Sequence, residues 1–209
     1  MKKFNLLILG LLAGLCSAAL GLGGGTVIVP ALVIFFAYPI KEAVGTSLAT
    51  IVPTVFVGII THYLINSANI RLKIALFVIL GAIIGAKLGV DLVNKIHSKT
   101  LKRLFALLLL FVGLKIIGVI QIPTEALTSN TVYFGLLILG LIGGLVSSLF
   151  GIGGGVVIVP TLTLFFALNI HQAIATSLTI ILPTAFIGAI FHKKFNHLNT
   201  NALKFLIPS

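Results

Sequence analysis

Gly21-Leu22-Gly23-Gly24-Gly25-Thr26-Val27-Ile28-Val29-Pro30 returns as Gly151-Ile152-Gly153-Gly154-Gly155-Val156-Val157-Ile158-Val159-Pro160, displaced by 130 residues. The match extends outward over residues 12–69 and 142–199. Thr46, Ser47, Pro53, Thr54, Gly58, His62, Asn66 and Asn69 recur as Thr176, Ser177, Pro183, Thr184, Gly188, His192, Asn196 and Asn199. Apolar composition alone would not reproduce these polar and backbone-special positions. The chain is therefore built from two copies of one unit, here bounded at residues 4–93 and 131–209 and linked by a span at 101–120.

The surroundings of the glycine runs define the solvent. Hydrophobic residues make up 59% of the chain and charged residues only 8%, against about a quarter charged in soluble domains. Apolar runs near the ~20 residues that a spanning helix requires lie at 4–20, 43–65, 72–93, 101–120, 131–150 and 173–192. Shorter runs lie at 26–37 and 156–168. No alternation suited to a membrane β-barrel is present, so helices must satisfy the backbone. The fold class is an all-α membrane protein.

The net charge of +11 invites a nucleic-acid reading, but the basic residues are clustered between apolar spans and form no basic domain. They set topology instead. Lys95, Lys99, Lys102 and Arg103 mark one loop as cytoplasmic, whereas the loop at 121–130 holds no Lys or Arg. Lys2 and Lys3 place the N-terminus inside. An odd number of crossings then separates the copies, whether the short segments span or re-enter, so the two repeats are inverted. Arg71 and Lys73 fall outside in this scheme and fit the charge rule least well. Met1-Lys2-Lys3 followed by an apolar run is signal-like, yet its internal counterpart at 142–150 argues that the segment is retained. Cys16 is the only cysteine and has no partner for an intramolecular disulfide.

Inverted repeats with interrupted helices are an architecture of secondary transporters, which hold substrate where the copies meet. Gly21, Gly23, Gly24, Gly25 and Gly151, Gly153, Gly154, Gly155 disfavour continuous helix. A break at membrane depth leaves N–H groups and a helix N-terminus suited to an anion. Close packing through small residues is the competing reading. A P-loop is disfavoured, because no Gly-Lys-Ser/Thr ending follows and Thr26 and Val156 stand where its lysine would come.

Pro30 and Pro160 fall early in the short helices. Pro53 and Pro183 fall mid-helix and predict a second break in each copy. Thr54 and Thr184, beside them, either satisfy freed backbone or face substrate. Thr46, Ser47, Thr176 and Ser177, two turns earlier, suit anion hydrogen bonding, as do Ser17 and Ser147, one turn before each glycine run. Local capping explains any one of these hydroxyls equally well. His62 and His192 end their helices and are candidates for gating, and no zinc-type cluster accompanies them. Glu42, Asp91 and Glu125 are the only acids. All lie in loops or at span ends, which disfavours proton coupling through a buried carboxylate and leaves histidine-linked coupling or facilitated flow.

At the glycine, Thr-Ser and Pro-Thr motifs the chain resembles the TauE/SafE sulfite exporter family of bacterial membrane transporters. Gly81-Ala82-Ile83-Ile84-Gly85-Ala86-Lys87-Leu88-Gly89 is similar to the small-residue helix that follows in that family. The resemblance covers essentially the whole chain and implies an inner-membrane permease for sulfite, sulfoacetate or related organosulfur anions. The second copy ends at Pro208-Ser209, where its third helix has barely begun, so it reads as truncated. That leaves room for a homodimer, a missing portion or an inactive fragment. The expected partners are the lipid bilayer and a small anionic solute, with no nucleic acid, metal or cofactor. An intramembrane enzyme is disfavoured, since no carboxylate pair lies within the spans. A channel-like facilitator and a membrane scaffold are the remaining alternatives.

Overall fold

The computed structural model describes residues 8–15, 17, 21–65, 70–116, 129–166, 168–199, 202–203 and 206. Among them it is helical and contains no strand. Helix α1 is described over residues 8–15. It is followed by α2 (Gly25–Ile34), α3 (Ile40–Ile65), α4 (Leu72–Lys95), α5 (Ser98–Ile116), α6 (Ser129–Phe150), α7 (Gly155–Phe165) and α8 (Ile170–Lys194). Cys16, Asn66, Asn69, Glu125, most of the loop at 121–130 and the two chain ends lie outside the described residues, as does the end of the expected span at 101–120.

Among the described residues, four stretches are long and apolar enough to cross a membrane: Ile40–Leu64, Leu72–Lys95, Tyr133–Phe150 and Ile170–Lys194. At ~1.5 Å per residue, helices of this length match a hydrocarbon core of ~30 Å. Helices α2 and α7 have 10 and 11 residues, so each reaches about half that thickness. Helix α8 begins at Asn169, whose side chain accepts the Gln172 N–H at 2.9 Å, the usual satisfaction of a free first-turn donor.

The second break expected at Pro53 and Pro183 does not occur, because both residues lie inside the continuous helices α3 and α8. The adjacent threonines bond back into the helix. Thr54 donates to the Ile51 and Thr50 carbonyls at 2.8 and 3.3 Å, and Thr184 to the Ile181 and Ile180 carbonyls at 2.9 and 3.0 Å. Proline is tolerated in spanning helices when hydroxyls and neighbours support the local backbone. Pro30 and Pro160 each occupy the sixth position of their helix, just beyond the first turn, so each withdraws one helical bond.

Two close helix pairs frame the site. Helices α4 and α6 run parallel: Gly81 lies against Leu137, Gly85 against Leu141 and Gly89 against Leu145, while Gly140 and Gly144 press on Val78 and Ala82. A methyl group at Gly81, Gly85, Gly140 or Gly144 would run into facing backbone, so the seam depends on small residues. Helices α3 and α8 run antiparallel, since Gly58 meets Leu178 and Gly188 meets Leu48. Ile51 and Ile181, both fully buried, lie at the crossing.

Candidate functional site

Each glycine run unwinds one helix and starts the next. Gly21, Gly23 and Gly24 have φ of 65°, 80° and 73°, and Gly151, Gly153 and Gly154 have 71°, 78° and 79°. Side chains with a Cβ rarely adopt this left-handed backbone. The preceding turn closes through the Gly21 N–H to the Ser17 carbonyl at 2.9 Å and the Gly151 N–H to the Ser147 carbonyl at 2.8 Å. The next helix starts from Gly24 or Gly154, and no side chain caps either start. The result is two uncapped helix N-termini at buried positions, each carrying about half a positive charge.

The two breaks interlock with their roles exchanged. Ser47 Oγ donates to the Gly151 carbonyl at 2.7 Å, and Ser177 Oγ donates to the Gly21 carbonyl at 3.1 Å. Gly25 packs on that same Gly151 carbonyl and Gly155 on the Gly21 carbonyl, each too closely to admit a Cβ. Gly24 lies against the Ala13 carbonyl and Gly154 against that of Gly143, while Gly21 meets Ile174 and Gly151 meets Val44. Gly23 and Gly153 face each other beside Ile51 and Ile181. Every contact recurs with its residues displaced by 130, the signature of a two-fold relation between equivalent surfaces.

The candidate hydroxyls therefore separate into two groups. Ser47 and Ser177 donate to carbonyls orphaned by the opposite break, and loss of either would leave a buried acceptor unsatisfied at about 1–3 kcal/mol. Thr46 and Thr176 accept from the Asn199 and Arg71 N–H groups at 3.0 and 3.1 Å and fasten the segments that follow α8 and α3. Thr54 and Thr184 are engaged in their own helices. Ser17 and Ser147, one turn before the breaks, are 1% and 0% exposed, and their hydroxyls have no hydrogen-bond partner among the described residues. Pro183 lines an apolar cavity of about 330 Å³ with Val52, Leu182 and Phe186.

The histidines differ. His62 is half-buried in the last turn of α3. His192, its repeat counterpart, is fully buried, with Nε2 2.9 Å from the Ser148 carbonyl and Nδ1 3.3 Å from His197 Nδ1. A carbonyl only accepts, so His192 carries its proton on Nε2 and presents a lone pair at Nδ1, to which His197 Nδ1–H donates. His197 did not emerge from the repeat, because Ser67 occupies the equivalent position, and Ser148 takes part through its backbone carbonyl, which no side-chain pattern reveals.

Chemically, the break layer presents N–H dipoles and unspent hydroxyls, with no acidic side chain among its residues. This suits an anion held by hydrogen bonds more than by a fixed cation.

Comparison with known proteins places these features in a family. The profile of the family described as Sulfite exporter TauE/SafE matches residues 2–116 and 136–209. The probable membrane transporter protein YdhB of Bacillus subtilis is 32% identical over 183 residues, covering 86% of this chain and 74% of that protein. A probable membrane transporter protein of Methanocaldococcus jannaschii is 30% identical over 196 residues, covering 91% and 72%. The B. subtilis protein YunE, with the same description, is 26% identical over 236 residues, covering 100% and 84%. No solved structure matches the chain.

Proposed function

The chain belongs to the TauE/SafE family of membrane transporters, and on that footing we propose that it is an inner-membrane permease for a small organosulfur anion such as sulfite or a sulfonate. Its two halves are inverted repeats, its N-terminus is cytoplasmic, and the anion sits between the paired glycine breaks. The observation that carries this reading is the reciprocal meeting of two uncapped helix N-termini, each flanked by a buried hydroxyl without a partner, at Ser17 and Ser147. Two such termini supply roughly one positive charge without a buried lysine, and the two hydroxyls add directional donors for anion oxygens. The antiparallel passage of α3 and α8, equivalent helices of the two copies, supports inversion.

Alternation follows from the two clasps. Release of Ser47 from Gly151 frees one break, and release of Ser177 from Gly21 frees the other. An anion whose oxygens take over the freed donors stabilises either opening, and the two openings face opposite sides of the membrane.

Counterflow in proteoliposomes tests this. Preloaded sulfite accelerates the entry of labelled sulfite through an alternating carrier, and Ser17→Ala and Ser147→Ala weaken it. Passive flux without such stimulation would replace the carrier with a channel-like facilitator. Full flux in both alanine variants would remove the break hydroxyls from the site.

A further inference from the structure

The second half carries a histidine pair, His192 and His197, where the first has His62 and Ser67. His192 lies at the buried end of α8 and holds the Ser148 carbonyl, three residues before the Gly151 break. His197 lies in the turn beyond α8. Its ring stacks on Phe195, with centroids 6.2 Å apart, and its backbone carbonyl presses on Gly45 of α3 so closely that a Cβ there would not fit. Asn199 N–H then bonds Thr46. The turn thus seals the region of α3 that also supplies Ser47 to the break.

We propose that His192 and His197 form a proton-binding relay that couples protonation to anion movement at the neighbouring glycine break. The reading deepens the proposed permease by naming its co-transported ion. The tautomers make the step specific. His197 Nε2, on the more accessible ring, takes a proton from water; the Nδ1 proton of His197 then passes to the Nδ1 lone pair of His192. The hydrogen bond between the rings survives with its direction reversed. One proton has been gained, no other bond has changed, and the positive charge now sits on His192 beside α6. There the Ser148 carbonyl and the negative ends of α6 and α8 offset part of the cost of burying a cation at this position. The charge also lies next to the layer where an anion is proposed to bind.

The surroundings set the direction of the pH response. Burial is the main force pushing the His197 pKa below the ordinary histidine value of about 6.5; Lys41 adds to that push and Glu42 opposes it. Lys41 is tethered to the Asn94 carbonyl at the end of α4 at 3.3 Å. From α6 the Ser148 carbonyl faces the pair, α7 carries no ionisable residue, and α4 holds Lys87, Asp91 and Lys95 at exposed positions. Lys193 and Lys194 follow His192 on α8 itself. A proton is therefore taken up on the acid side of the usual histidine range, and at neutral pH the pair rests uncharged.

The test separates the relay from the permease. His197→Asn keeps an N–H that can donate to His192 Nδ1 but cannot take a proton. Histidine ring nitrogens of the purified protein are followed by 15N NMR from about pH 3.5 to 8. Two rings titrating as a coupled pair in the wild type, with His192 losing that response in His197→Asn, is the expected result. A His192 ring that never titrates, or titrates identically in both proteins, overturns the relay whatever is transported. In proteoliposomes containing a pH dye, a sulfonate gradient is expected to drive proton movement in the wild type. His197→Asn should lose the proton movement yet still pass sulfonate. Sulfonate flux without protons in the wild type overturns the coupling. Absence of any anion flux defeats the permease reading, while the NMR result still decides the proton site.

Discussion

The glycine breaks at residues 21–25 and 151–155 match closely, with turn-closing bonds of 2.9 and 2.8 Å and backbone angles that agree within a few degrees at Gly23. The ends of the equivalent helices α3 and α8 diverge. One ends near a half-buried His62, whereas the other buries His192 against Ser148 and His197. The difference has a physical basis. Each break holds a carbonyl bonded by the other copy, so a change on one side is felt on both, and neither can drift alone. Beyond the helix ends the two copies differ in sequence, with Ser67 where the second has His197, so these ends are free to acquire separate chemistry.

The largest expected effect tests the matched half of this comparison. Gly25→Ala and Gly155→Ala force a methyl group into the Gly151 and Gly21 carbonyls, and each should cost about 3 kcal/mol or more, by similar amounts. Thermal unfolding in detergent checks this, and tolerance of one substitution but not its twin would break the equivalence. Next come Ser47→Ala and Ser177→Ala, each expected to cost about 1–3 kcal/mol. Ser47 should cost more, because its bond is the shorter, at 2.7 against 3.1 Å.

The unmatched ends predict a pH effect. Since burial and Lys41 lower the His197 pKa in the folded chain, its contribution to stability is fully present above about pH 6.5 and is lost as pH falls through the depressed value. Melting temperature should therefore fall on acidification in the wild type and fall less in His197→Asn; a parallel decline in both would remove His197 as the cause. The smallest effects belong to Thr54→Val and Thr184→Val, whose hydroxyls bond within their own helices, at about 0.5–1 kcal/mol. A variant of unchanged stability that loses transport would return that threonine to the substrate site.

The repeat and the breaks were legible in the sequence because glycine runs leave few backbone options. The partners of Ser47 and Ser177 were not: they lie 104 and 156 residues away in the chain, and a hydroxyl looks the same whether it serves a ligand or a carbonyl. Pro53 and Pro183 misled because a spanning helix can absorb proline when threonine and close neighbours support it. His197 escaped notice because aligning the copies selects what they share and it belongs to one copy alone, and Ser148 because it contributes a backbone carbonyl.

The clasp between Ser47 and Gly151, with its twin, has a consequence for assembly. A chain of half this length would own both the donor and the orphaned carbonyl yet place them on surfaces that meet only through a second molecule. Such a chain would keep the clasp only as a symmetric pair. Expressing residues 1–120 and 121–209 as separate polypeptides in one cell should therefore rebuild the assembly, whereas neither piece should persist by itself.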